Sequence, residues 1–69
     1  MDMVYEPMRK CENKWRPTWT YMGMVIVKQS DGCYAYGWPD ATDHESLGSV
    51  VDASPHLATA RMEIETICG

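Results

Sequence analysis

Trp19-Thr20-Tyr21-Met22-Gly23-Met24-Val25-Ile26-Val27-Lys28, then Gln29-Ser30-Asp31-Gly32, then Cys33-Tyr34-Ala35-Tyr36-Gly37-Trp38: the register of these three runs decides the fold. The outer two are dense in β-branched and aromatic residues, which suit a pleated surface, and the run between them is made of turn formers. Gly32 takes a positive φ without steric cost and Asp31 suits the position before it, so a β-hairpin is expected. Two loops satisfy the residues, a two-residue type I′ turn and a three-residue turn with a G1 bulge. The two-residue turn sets Val27 opposite Tyr36 and Val25 opposite Trp38. Because side chains alternate along a strand, it gathers Trp19, Tyr21, Tyr34, Tyr36 and Trp38 on one face. Met22, Met24, Ile26, Cys33, Ala35 and Gly37 then lie on the other. A three-residue loop slides one strand by a residue and mixes the two sets.

Downstream, Trp38 to Glu45 is polar and contains Pro39, which reads as a surface loop. Ser46 to Ala53 alternates weakly, with Leu47, Ser49 and Val51 on one side, and predicts a third, half-buried strand. Ser54 as N-cap, Pro55 at the first helical position and Gly69 past the end bracket a helix over His56 to Cys68. Leu57, Ala60, Ile64, Ile67 and Cys68 share one stripe of it, with Thr59, Glu63 and Thr66 opposite. Ala35 and Gly37 would let a helix backbone approach closely. The stripe is therefore expected on the face of methionines and small residues, leaving the aromatic face free. Upstream, residues 1–16 form a less regular arm in which Met3-Val4-Tyr5 suits a short edge strand and Arg9 to Trp15 follows neither period.

The expected fold is α+β, a three-stranded antiparallel sheet packed by one C-terminal helix in the order β-β-β-α, as one domain over residues 1–69. In element order this is similar to the three-stranded sheet and helix of AP2-like and integrase arm-binding domains.

The chain of 69 residues carries a formal net charge of -4, with 45% apolar and 23% charged residues, the composition of a folding globule. A core below about 70–80 residues rarely supplies more than ~3–5 kcal/mol unaided, so self-association or a bound partner is expected. No stretch approaches a membrane span, the start lacks a signal-peptide pattern, and three cysteines at unrelated spacings suit reduced thiols; a cytoplasmic setting follows as the expectation. Residues 1–16 hold Arg9, Lys10, Lys14 and Arg16 against three acids, a balance of +1, whereas residues 17–69 hold two basic residues against seven acids, a balance of -5. An acidic body repels phosphate backbones and suits basic partners.

Asp43-His44-Glu45 and the pair Asp52 and His56 are the only sets resembling general acid/base groups, but loop neighbours rarely converge and so small a fold offers little pocket. No catalytic residue is assigned, and the protein is not expected to be an enzyme. Neither C-x-x-C, H-x₃-H nor H-E-x-x-H occurs, and the glycines never cluster into a phosphate loop, so no metal or cofactor is expected. Cys33 and Cys68 read as small apolar residues of sheet and helix.

What remains is binding. Tyr21, Tyr34, Tyr36 and Trp38 on a free sheet face, rimmed by Asp40, Asp43 and Glu45, have the make-up of a protein-docking surface. The expected partner is a larger protein or ribonucleoprotein complex, occluded by this surface. In size and composition the chain looks like phage or mobile-element accessory proteins, including anti-CRISPR and other host-inhibitor classes. The alternative is nucleic-acid binding through Arg9, Lys10, Lys14 and Arg16, which the acidic body disfavours. A homodimer with its aromatic faces covering each other is a third arrangement, and no membrane partner is expected.

Overall fold

The computed structural model describes residues 8–69. Among these described residues five strands and one helix follow in chain order: β1 (Arg9–Cys11), β2 (Thr18–Tyr21), β3 (Met24–Lys28), β4 (Tyr34–Pro39), β5 (Leu47–Ser54) and α1 (Leu57–Cys68). The strands form one meander in the order β1-β2-β3-β4-β5, with every neighbouring pair antiparallel. The α+β class and the C-terminal helix agree with expectation, but three strands become five, and the likeness in element order to AP2-like and integrase arm-binding domains lapses.

Both additional strands have local causes. Trp19 to Lys28 is two strands, because Met22 and Gly23, at φ 50° and 80°, make a two-residue turn with Tyr21 opposite Met24. Positive φ at both central positions is the type I′ geometry that matches strand twist. Arg9–Cys11, expected to be irregular, pairs with Thr18–Thr20 as β1. The edge strand suggested at Met3-Val4-Tyr5 lies outside the described residues.

The β3–β4 hairpin takes the three-residue loop. Gln29 N–H donates to the Cys33 carbonyl at 2.8 Å, Gly32 N–H donates to the Gln29 carbonyl at 3.0 Å, and Gly32 sits at φ 89°. Val27 therefore faces Ala35 and Val25 faces Gly37, one residue away from the two-residue register. That slip exchanges the faces of β4 relative to β3. Trp19, Ile26 and Tyr36 now form one cross-strand row, and Tyr21 and Met24 another.

The helix covers this mixed face. Tyr21, Met24, Ile26, Tyr36, Ala60 and Ile64 form the buried cluster, with Met8, Trp19, Met22, Tyr34 and Leu57 packed around it. The expectation that α1 lies on Met22, Met24, Ala35 and Gly37 and leaves the aromatic face free is corrected: Tyr21 and Tyr36 are each 2% exposed. Large rings are tolerated there because their polar ends find partners. Tyr21 Oη donates to Glu65 at 2.5 Å and Tyr36 Oη donates to Glu63, so two phenols grip the helix on either side of the fully buried Ile64. Burial and the adjoining Glu65 carboxylate hold the Tyr21 phenol above its ordinary value, while that same phenol holds Glu65 below its own.

The helix cap lies two residues later than expected. His56 occupies the N-cap position with no side-chain cap, and Ser54 closes β5, accepting a weak bond from His56 N–H at 3.4 Å. Gly69 N–H donates to the Glu65 carbonyl at 2.7 Å, as a glycine past a helix end commonly does. Of the expected stripe, Ala60 and Ile64 are buried and Leu57 half-buried, but Ile67 and Cys68 are exposed.

The second face carries Cys11, Thr18, Val25 and Ala35, all buried without any helix over them. Two connections close it instead, residues 12–17 between β1 and β2 and residues 40–46 between β4 and β5. Lys14 and Asp43 pair at 2.9 Å, joining the first segment to the second, and Arg9 of β1 pairs with Glu45 of the second at 3.3 Å.

Candidate functional site

Where those two connections meet, the surface is held stiffly. In the 40–46 segment, Asp43 accepts bonds from Glu45 N–H at 3.0 Å and from Ser46 Oγ at 2.7 Å, while Ser46 N–H donates to the Asp43 carbonyl at 3.0 Å. Asp and Ser favour such local turns because short polar side chains reach their own backbone. Lys14 completes the knot, its ammonium donating to Asp43 and, at 3.5 Å, to Ser46 Oγ. The Ser46 hydroxyl, the Lys14 ammonium and the Glu45 amide together hold the Asp43 carboxyl well below its usual 3.8. Asp43 in turn raises the Lys14 ammonium.

A carboxylate whose folded pKa is depressed contributes stability that is complete above its unfolded value near 3.8 and is lost as pH falls through the folded one. Thermal unfolding followed by circular dichroism is expected to show a melting temperature that declines below about pH 4, and a shallower acid decline in Asp43→Asn. An identical acid limb in that variant would show that Asp43 is not the group responsible.

The 12–17 segment is pinned at three points. Asn13 takes φ 59°, which asparagine tolerates better than most residues. Thr18 Oγ1 donates to the Arg16 carbonyl at 2.8 Å, and Lys28 N–H donates to the Pro17 carbonyl at 2.9 Å. Between these anchors stands Trp15, 95% exposed. At its foot runs an open groove of about 300 Å³, lined among others by Arg16, Thr18, Val27, Glu45 and Leu47. Nothing in the hydrophobic periodicity marks Trp15; the one available signal is a tryptophan placed between charged residues in a segment of no period.

The residues expected to bind a partner are dispersed. Tyr21 and Tyr36 are beneath the helix, Tyr34 is half-buried, and Trp38, opposite Ser49 on the outer pair of strands, is 46% exposed. The aromatic docking face is thus not formed, and a homodimer through it has no surface to use. Asp40 accepts bonds from Thr42 N–H and Oγ1, each at 2.8 Å, which lower its pKa. Asp43 and Glu45 are engaged with Lys14 and Arg9, so the acidic rim braces the second face.

The basic arm is likewise partly spent. Arg9 and Lys14 are neutralised by Glu45 and Asp43, Lys10 lies over the Trp19 ring at 5.9 Å, and Arg16 makes no ion pair among the described residues. With two cations of four unpaired among the described residues, the arm would neutralise only about two phosphates.

Asp43, His44 and Glu45 do not converge, since Asp43 turns to Lys14 and Glu45 to Arg9. Asp52 accepts from Ala53 N–H at 2.8 Å, and no side-chain bond joins it to His56. Among the described residues no group of three His, Cys, Asp or Glu side chains is placed to hold a metal ion, and no helix is long and apolar enough to cross a membrane. The three cysteines are free thiols; burial first, then the Glu45 carboxylate, push the Cys11 thiol up, away from the reactive thiolate. Comparison of the chain with protein-family models, curated proteins and solved structures finds no match.

Proposed function

We propose that this is a binding protein that acts by occluding a surface of a larger partner, with Trp15 as its anchor. One observation carries the reading: a tryptophan 95% exposed on a segment fixed on both sides by hydrogen bonds and an ion pair. An indole in water forgoes the stabilisation of burial, and binding hot spots are enriched in tryptophan for that reason. Fixing its backbone beforehand lowers the entropy lost on association. Val27 and Leu47 in the adjoining groove add apolar contact, and Arg16 and Glu45 supply a polar rim of mixed sign. Trp38, with Val50 and Val51 exposed at 61% and 45% on β5, extends the apolar surface elsewhere on the molecule.

The test is capture from a lysate of the source cell followed by titration of the isolated partner. Trp15→Ala is expected to weaken binding by at least about thirtyfold, the effect of a hot spot worth ~2 kcal/mol, with an unchanged melting temperature. Tyr36→Phe, altering a residue beneath the helix, is the contrasting variant and should bind normally. Equal affinity of Trp15→Ala and the parent chain would remove Trp15 as the anchor.

A further inference from the structure

On the opposite side of the sheet, at the edge of the helix-covered face, a second constellation stands apart from the Trp15 surface. Trp19 on β2 and Tyr34 on β4 straddle β3 with ring centroids 5.8 Å apart and planes inclined at 55°. Each ring has its own cation: Lys10, paired with Trp19 across β1 and β2, lies 5.9 Å from the indole centroid, and Lys28, paired with Tyr34 across β3 and β4, lies 5.8 Å from the phenol centroid. The rings are half-buried, and the lysines are exposed.

Neither ammonium has a carboxylate partner among the described residues, unlike Arg9, Lys14 and Arg61, each of which is paired. The carboxylate nearest Lys28 along the chain, Asp31 at the hairpin tip, is turned to the Cys33 amide at 2.9 Å, and the one nearest Lys10 among the described residues, Glu12, makes no ion pair with it. The adjoining helix start brings no acid in its first turn. On a chain of net charge -4, two cations without an ion pair among the described residues, flanking two neighbouring rings, are a local exception to the general sign.

From this geometry we infer that Lys10, Trp19, Tyr34 and Lys28 form a binding strip for single-stranded nucleic acid. A flexible strand offers what the strip can use, flat bases for the ring faces and phosphates for the ammonium groups on either side. At nearly 6 Å the lysines hold their rings only weakly, so their long stems can swing outward to phosphates as a base comes to the ring. A duplex keeps its bases stacked inside and presents no such faces. The strip does not depend on Trp15, and a ribonucleoprotein with an exposed strand beside a protein surface would engage both sides of the molecule.

The test is fluorescence anisotropy of a labelled oligothymidylate at low and moderate salt, using the full chain. Binding is expected at low salt with a slope of log affinity against log salt of about -1.4, the value for two cations on a single strand. Lys10→Gln with Lys28→Gln should abolish that slope, and Tyr34→Leu should weaken binding about tenfold by removing one stacking ring. The lysine pair is exposed, and its circular dichroism should match the parent, so a folding failure is recognisable. No binding at low salt, or binding unchanged in the lysine pair, overturns the inference. So does competition by polyglutamate as strong as by unlabelled oligothymidylate, which would make the strip a site for acidic peptides.

Discussion

Gly37→Ala is expected to abolish the cooperative unfolding transition at room temperature. A Cβ on Gly37 would stand 1.9 Å from the Ser49 carbonyl oxygen and 2.9 Å from the Val50 Cα, both backbone atoms with no side-chain freedom to yield. The close approach arises from the irregular register between Tyr36 and Gly37, where Asp52 pairs with one and Val50 with the other, so that Val51 is surplus in β5. Overpacking costs about 1–3 kcal/mol when side chains can shift, and more when only backbone can. A chain this short has only ~3–5 kcal/mol to lose. Gly23→Ala is the control, since its Cβ would meet nothing within 4 Å and the loss there is confined to a strained φ of 80°, about 1–2 kcal/mol. A Gly37→Ala melting curve within a few degrees of Gly23→Ala would refute the close packing of β4 against β5.

The second large effect falls on the helix. Ile64 is fully buried among Tyr21, Met24, Ile26 and Tyr36, and truncating such a residue to alanine costs about 2–5 kcal/mol through lost transfer energy and the cavity left behind. Ile64→Ala should therefore leave much of the population unfolded, with a reduced urea midpoint and loss of the near-ultraviolet signal of the tyrosines. Ile67→Ala, on the same expected stripe but 44% exposed, should change the midpoint little. Equal effects at the two positions would mean that the helix is seated differently on the sheet.

These two sites mark where sequence reasoning reaches and where it stops. Local signals located some elements: Asp31-Gly32 made a turn, the strand expected over Ser46 to Ala53 runs from Leu47 to Ser54 but is mostly exposed rather than half-buried, and the stretch before Gly69 is a helix. Gly23 within the run from Trp19 to Lys28 was the overlooked signal, because a glycine inside a strand pattern also marks a turn. The face assignment failed for a different reason. The same Gln29 to Gly32 residues satisfy two loop lengths that differ by one residue, and the difference in free energy between them does not reside in the loop. It resides in what each register buries, with Tyr21 and Tyr36 reaching Glu65 and Glu63 across 44 and 27 residues of chain in the register adopted.

The same holds for the surface that we assign to binding. Composition established an acidic chain, residue spacing offered no metal or nucleotide motif, and the short loops between strand runs pointed to antiparallel neighbours with a helix at the end, though to three strands where there are five. Trp15 projects from a segment tied down by Lys14 on Asp43, a contact 29 residues apart. Turns, strand propensity and helix ends are properties of a few adjacent residues and can be read in order along the chain. Register, the choice of buried face and the exposure of one side chain are differences between whole packings, and only the tertiary structure sums them.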